Sequence, residues 1–187
     1  MKCSVYIATS VDGYIATIDD RVDWLNTAGN PIADMGDNAD MGFNDFIGSV
    51  DCMITGRKCM EVNSDMNIAA EDWPYSNIRI VVLSRTVNVA PENLQGKVEM
   101  YSGEIPRLIE ALETEGFKHA YIDGGTTITS FLNLKLINEM IITKAPILLG
   151  DGIPLFGKID HYLNLENAVS QAFPNDFVQT KYNVNYS

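Results

Sequence analysis

The sequence predicts an α/β fold built on a largely parallel sheet, with antiparallel strands at its C-terminal edge. Three observations carry that prediction. Strand-like runs rich in β-branched residues alternate with helical patterns through most of the chain, which implies crossovers between parallel strands. The last two strand-like runs follow one another with no helix between them, so they pair antiparallel. Glycine marks the points where a strand hands over to a helix, at the strand ends where such sheets bind ligands. No repeat or low-complexity linker divides the 187 residues, so a single domain over 1–187 is expected.

The elements follow in order. "CSVYIAT" reads as the first strand, and "DMGFNDFIGSV" as a weak helix ahead of a second strand, "DCMITG". Segment 61–77, with "EDWPYSN", reads as loop or broken helix, and "IRIVVLS" as the third strand. In "GEIPRLIEALETEG" the spacing of Ile105, Leu108, Ile109 and Leu112 predicts one apolar helical face, with Gly116 as the stop. "KHAYID" is a fourth strand, "TTITSFLNL" a short helix and "NEMIITKAPILL" a fifth strand. "NLENAVSQAF" and "DFVQTKYNV" supply the closing pair.

Composition excludes several function classes. A net charge of −12 argues against nucleic acid or an anionic membrane surface as partner. No apolar run reaches membrane-spanning length, and "MKCSVYIATS" lacks a signal-peptide core, so the cytoplasm is the expected location. Cys3, Cys52 and Cys59 have no zinc-type spacing and read as reduced thiols. His119 and His161 stand alone, and HExxH, CxxC and GxSxG are all absent, so metal hydrolysis and nucleophile-elbow chemistry find no support.

Two glycine junctions remain. In "YIDGGTTITSFL" a strand meets a helix through Gly124 and Gly125, where unpaired amides and the helix dipole attract phosphate and a missing Cβ lets it approach. Thr126 or Thr127 can cap that helix or offer a hydroxyl to the same oxygen; a plain tight turn is the competing reading. In "CMITGRKCMEV" Gly56 opens the turn and Arg57 and Lys58 stand at the helix start, where cations oppose the dipole and a bound polyanion would explain them. No other Lys or Arg occurs from residue 22 to residue 78. After the third strand, Ser84 and Arg85 again place a hydroxyl and a cation at a strand end. Such a spread suits a dinucleotide with an extra 2′-phosphate. "GDGIPLFGKI" imitates a P-loop, but Ile159 replaces the magnesium-binding hydroxyl and Pro154 interrupts the loop.

With these residues in view, the chain resembles the dihydrofolate reductase-like family, in particular the branch containing the reductase domain of bacterial riboflavin biosynthesis. "SVDGYIA", "ITGRKCMEV", "VVLSR", "YIDGGTTITSFL" and "APILLGDGIPLF" carry the resemblance in the family's order. It implies a three-layer α/β dihydrofolate reductase-like fold and an NADPH-dependent hydride-transferring reductase of the kind that acts on CH–NH or CH–OH groups, similar to 5-amino-6-(5-phosphoribosylamino)uracil reductase. On that resemblance Gly56, Arg57, Lys58 and Cys59 meet the nucleotide phosphates, with Arg57 foremost for the 2′-phosphate. Cys59 departs from the Thr usual there and removes a hydroxyl donor. Leu83, Ser84 and Arg85 flank the adenosine, Gly124, Gly125, Thr126, Thr127 and Ile128 cradle the pyrophosphate, and Ala8, Ile15 and Ala16 border the nicotinamide.

A carboxyl group that fixes or protonates the acceptor is wanted. Asp12 is the first candidate, a turn-starting role being the competing reading, and Asp40 or Asp45 on the weak helix is the second. Trp24 and Phe43 are pocket walls or core. The base-free intervals argue against folate and, less strongly, against a phosphoribosyl pyrimidine; a neutral or cationic heterocycle or carbonyl compound fits better. True dihydrofolate reduction and a non-catalytic nucleotide-binding dimer are the alternatives. The resemblance also implies a homodimer.

Overall fold

The computed structural model describes residues 1–66, 68, 73–75 and 77–187. Eight strands form one sheet in the order β5-β4-β3-β6-β1-β7-β10-β9. These are β1 (Lys2–Thr9), β3 (Cys52–Gly56), β4 (Arg79–Leu83), β5 (Glu99–Tyr101), β6 (His119–Asp123), β7 (Glu139–Lys144), β9 (Asn164–Ala172) and β10 (Val178–Asn185). β1 pairs parallel with β6 and β7, β3 with β4 and β6, and β4 with β5. β10 runs antiparallel to both β7 and β9, as the helix-free end of the sequence predicts.

Strand alternation divides the core into two apolar layers around the sheet. Cys52, Ile54, Val81 and Ile122 point to the side covered by α4 (Ile105–Thr114) and α5 (Gly125–Asn133), where Leu108, Leu112, Ile128 and Phe131 are buried. Met53, Ile80, Val82 and Tyr121 point to the other side, against Phe46 of α2 (Phe43–Gly48) and Met60 of α3 (Arg57–Met66). The result is three layers, helix–sheet–helix. α4 ends as its sequence predicts: Gly116 has φ +98° and the Phe117 amide bonds back to the Leu112 carbonyl.

Several short elements went unread in the sequence. β2 (Tyr14–Ala16) and β8 (Ile153–Pro154) pair with each other as a separate two-stranded sheet, β5 is three residues long, and α1 (Trp24–Thr27) is a single turn. None is long enough to show periodicity. The loop or broken helix expected over 61–77 is helical through Met66; most of its remainder lies outside the described residues. The P-loop lookalike forms β8, and a Cβ on Gly152 would meet the Ala16 carbonyl at 2.4 Å, so close packing of β8 on β2 explains that glycine. Among the described residues no helix is long and apolar enough to cross a membrane.

Candidate active site

The register of the sheet sets the site. Leu83 on β4 is opposite Gly56 on β3, and Thr55, one residue earlier, is opposite Asp123 on β6. The carboxyl ends of these strands therefore stand side by side. A cleft of about 1090 Å³ runs across them, from Tyr101 at the end of β5 to Tyr6, Ile7 and Ala8 on β1. That volume lies at the upper end for small-molecule sites and leaves room for a dinucleotide beside a small acceptor.

At the middle of the cleft the two glycine junctions touch. A Cβ on Gly124 would lie 2.6 Å from the Cys59 sulfur, and one on Gly56 would lie 3.0 Å from Thr127 Oγ1. Gly124 also has φ +89°, which favours glycine. Gly125 is glycine for another reason: a Cβ there would meet the Pro154 and Leu155 carbonyls at 2.9 and 2.8 Å. α5 has no side-chain N-cap, so neither Thr126 nor Thr127 caps it, and the first amides of the helix have no intrahelical partner. Gly125, Thr126 and Thr127 line the cleft. This cradle fits an anion, with positive dipole and without an intervening side chain.

The cations at the start of α3 have partners of their own. Arg57 pairs with Glu61 one turn on, and Lys58 Nζ is 2.9 Å from Asp20 Oδ2 on the loop after β2. Their placement against the helix dipole is thus offset within the protein. Arg85 is exposed on the rim and has no ion pair among the described residues. Beside it Ser84 Oγ accepts from the Val87 amide at 2.9 Å and fixes the turn after β4.

Toward β1 the lining becomes aromatic. Phe43 is 5.5 Å from Tyr6 and 6.3 Å from Tyr75, ring centre to ring centre. The part-buried carboxyl of Asp123 lines the same cleft. Tyr121 Oη donates to the Tyr6 carbonyl at 2.9 Å and lies 3.3 Å from Asp123 Oδ1; Thr55 Oγ1 lies 3.3 Å from Oδ2. Burial is the largest influence on the Asp123 carboxyl and raises its pKa, against the hydrogen bonds from the Gly124 amide, Thr55 and Cys59. Because the single Tyr121 proton is committed to the Tyr6 carbonyl, its oxygen is free to accept from a protonated Asp123.

The profile of the RibD C-terminal domain matches residues 2–179. The chain belongs to the RibD C-terminal domain family. Its fold is the dihydrofolate reductase-like one. A protein from Shewanella sp. PV-4, provisionally named a riboflavin biosynthesis protein, is 39% identical with a TM-score of 0.87, covering 99% of each chain. The diaminohydroxyphosphoribosylaminopyrimidine deaminase/5-amino-6-(5-phosphoribosylamino)uracil reductase of Thermotoga maritima is 11% identical with a TM-score of 0.65, over 97% of this chain and 56% of that one. Dihydrofolate reductase from Enterococcus faecalis, complexed with NADP(H), is 14% identical with a TM-score of 0.64, over 98% and 96%. At those last two identities the likeness is one of fold.

Within this RibD-type domain, fourteen of the fifteen residues expected to meet a coenzyme line the one cleft. Ala8, Ile15 and Ala16 border its β1 end, Gly56, Arg57, Lys58 and Cys59 its middle, and Leu83, Ser84 and Arg85 its far side; Gly124, Gly125, Thr126 and Thr127 form the α5 start. Ile128 is the exception. It is fully buried in the core beneath α5, because helical spacing turns it toward the sheet.

Both expected acids need correction. The Asp12 carboxylate accepts the Leu149 and Gly150 amides at 3.2 and 2.8 Å, fastening the "SVDGYIA" loop to the "APILLGDGIPLF" loop, and does not line the cleft. Asp40 accepts the Gly42 and Asn44 amides at the start of α2 and also stays outside it, as does Asp45. Short carboxylates in turns satisfy nearby backbone amides, and that is their use here. Trp24 packs with Phe173 and Phe177 in the core, while Phe43 does line the cleft. Asp123 was the carboxyl missed: it stood inside "YIDGG", but nothing in the string shows which end residue of a strand faces a cleft.

Proposed function

We propose that this chain is an NADPH-dependent reductase that delivers a hydride to a small heterocyclic or carbonyl acceptor. The observation that carries the reading is the contact between the two glycine junctions, which puts the open amides of α5, the start of α3 and Arg85 along one edge of one cleft. The family of riboflavin-pathway reductase domains and the NADP(H) complex of a protein with the same fold support it.

When bound, the reduced nicotinamide supplies a hydride and its two electrons to the acceptor carbon. The residues of this chain do the rest. The α5 amides hold the pyrophosphate, and Arg85, joined by Arg57 when that residue turns from Glu61, answers the 2′-phosphate. Ala8, Ile15 and Ala16 form a dry wall for the ring. Asp123, whose burial favours its protonated form, donates a hydrogen bond to the heteroatom of the C=N or C=O group and then its proton as the carbon is reduced. Neither Asp12 nor Asp40 has a part in this.

Fluorescence titration with NADPH and NADH tests the proposal. NADPH should bind at least about tenfold more tightly, a 1.4 kcal/mol preference that Arg85→Glu abolishes. Equal, weak binding of both coenzymes overturns it.

A further inference from the structure

We propose that the acceptor is a flat heterocycle without phosphate or other anionic group, packed against Tyr6, Phe43 and Tyr75 and hydrogen-bonded through Asp123. This inference rests on the reductase reading and names the substrate class of the same cleft. Three independent features carry it.

The cations are at the wrong end for an anionic acceptor. Arg85 follows β4 and Arg57 and Lys58 follow β3, whereas the aromatic end lies beyond β6 at β1. Lys58 is also held by Asp20. The loop and helix segments that complete the aromatic end beside β1 also contain no base. Val22, Leu25, Phe43 and Tyr75 come from stretches 22–56 and 59–78, in which Arg57 and Lys58 are excluded and no other Lys or Arg exists.

A helix start would be the remaining receptor for a phosphate, and the one nearby is closed. The amides at the start of α2, next to Phe43, are taken by Asp40 at 3.0 and 2.9 Å. A phosphate brought there meets a carboxylate where it needs a donor. It would also share the cleft with Asp20, and burying an anion without a counter-charge is strongly unfavourable. By contrast, a neutral or protonated ring loses nothing here: its faces pack on three aromatic side chains and its polar edge meets a carboxyl group. The chain thus departs from its Thermotoga maritima neighbour, whose name carries a phosphoribosyl substrate.

The test is a matched series offered to NADP⁺-saturated protein and read by calorimetry: 5,6-diaminopyrimidine-2,4-dione, its 6-N-riboside and the riboside 5′-phosphate. The expected result is binding of the first two within about threefold of one another, and of the phosphate roughly tenfold more weakly or not at all. Equal or tighter binding of the phosphate overturns the inference, and so does failure of all three to bind. Failure of NADP⁺ and NADPH themselves to bind is a separate outcome, and removes the reductase reading beneath it.

Discussion

Gly124 at the end of β6 and Cys59 in the first turn of α3 are in contact, leaving no space between them for a methyl group: a Cβ on the glycine would lie 2.6 Å from the cysteine sulfur. The two residues are 65 positions apart, yet their contact brings both strand-to-helix junctions to the same stretch of cleft. It also turns the Cys59 thiol inward, toward Thr55 and Asp123, where burial pushes its pKa up to about 12.

Gly124→Ala should therefore fail on two counts. The left-handed φ of +89° and the contact with sulfur together cost about 2 kcal/mol or more of stability, and NADPH affinity falls with the displaced α5 start. Adding Cys59→Ala should recover the steric part and leave the backbone part. Urea melts of the four members of the cycle measure this; a double variant no more stable than Gly124→Ala alone would refute the contact.

Glu61 competes with the coenzyme for Arg57. Glu61→Gln should raise NADPH affinity about two- to fivefold, with NADH unchanged, since the pair is half-exposed and worth less than about 1 kcal/mol. Titration of both coenzymes reads the difference.

Asp123→Asn should lower kcat by about 10²- to 10⁴-fold while coenzyme binding persists. Wild-type turnover should fall as pH rises through the raised Asp123 pKa, and the variant should lose that limb. Stability follows the same sign. A carboxyl whose folded pKa exceeds its unfolded value stabilises fully at pH below the ordinary carboxylate range, and that contribution is lost as pH rises through the folded value. The stability of wild type relative to Asp123→Asn should accordingly decline with pH over that window.

Asp12→Ala should leave the coenzyme preference intact and loosen the two loops it joins. Faster proteolysis near residues 149–150 is the expected readout. The carboxylate's lowered pKa, due first to the Ser10 hydroxyl and then to the amides, means that its contribution is present at neutral pH and lost as pH falls through the folded value.

All three thiols should resist alkylation at pH 8 in the folded protein. Burial raises Cys3 to about 11 and Cys52 and Cys59 to about 12, so almost no thiolate is present. Rapid labelling of Cys59 would show that the junction opens.

The sequence by itself determined the layered α/β architecture, because alternation within strands and 3.6-residue periodicity in α4 and α5 are local patterns that solvent exclusion enforces wherever they occur. It also determined most of the cleft edge, since glycine at a strand-to-helix turn is a local backbone requirement. Tertiary structure alone decided which carboxyl enters the cleft. Asp12, Asp40 and Asp123 look alike in the string; the first two find backbone amides within their own turns or an adjoining loop, while register places Asp123 beside Thr55 and within reach of the Tyr121 hydroxyl. Burial is a property of the assembled sheet, and no single stretch of chain carries it.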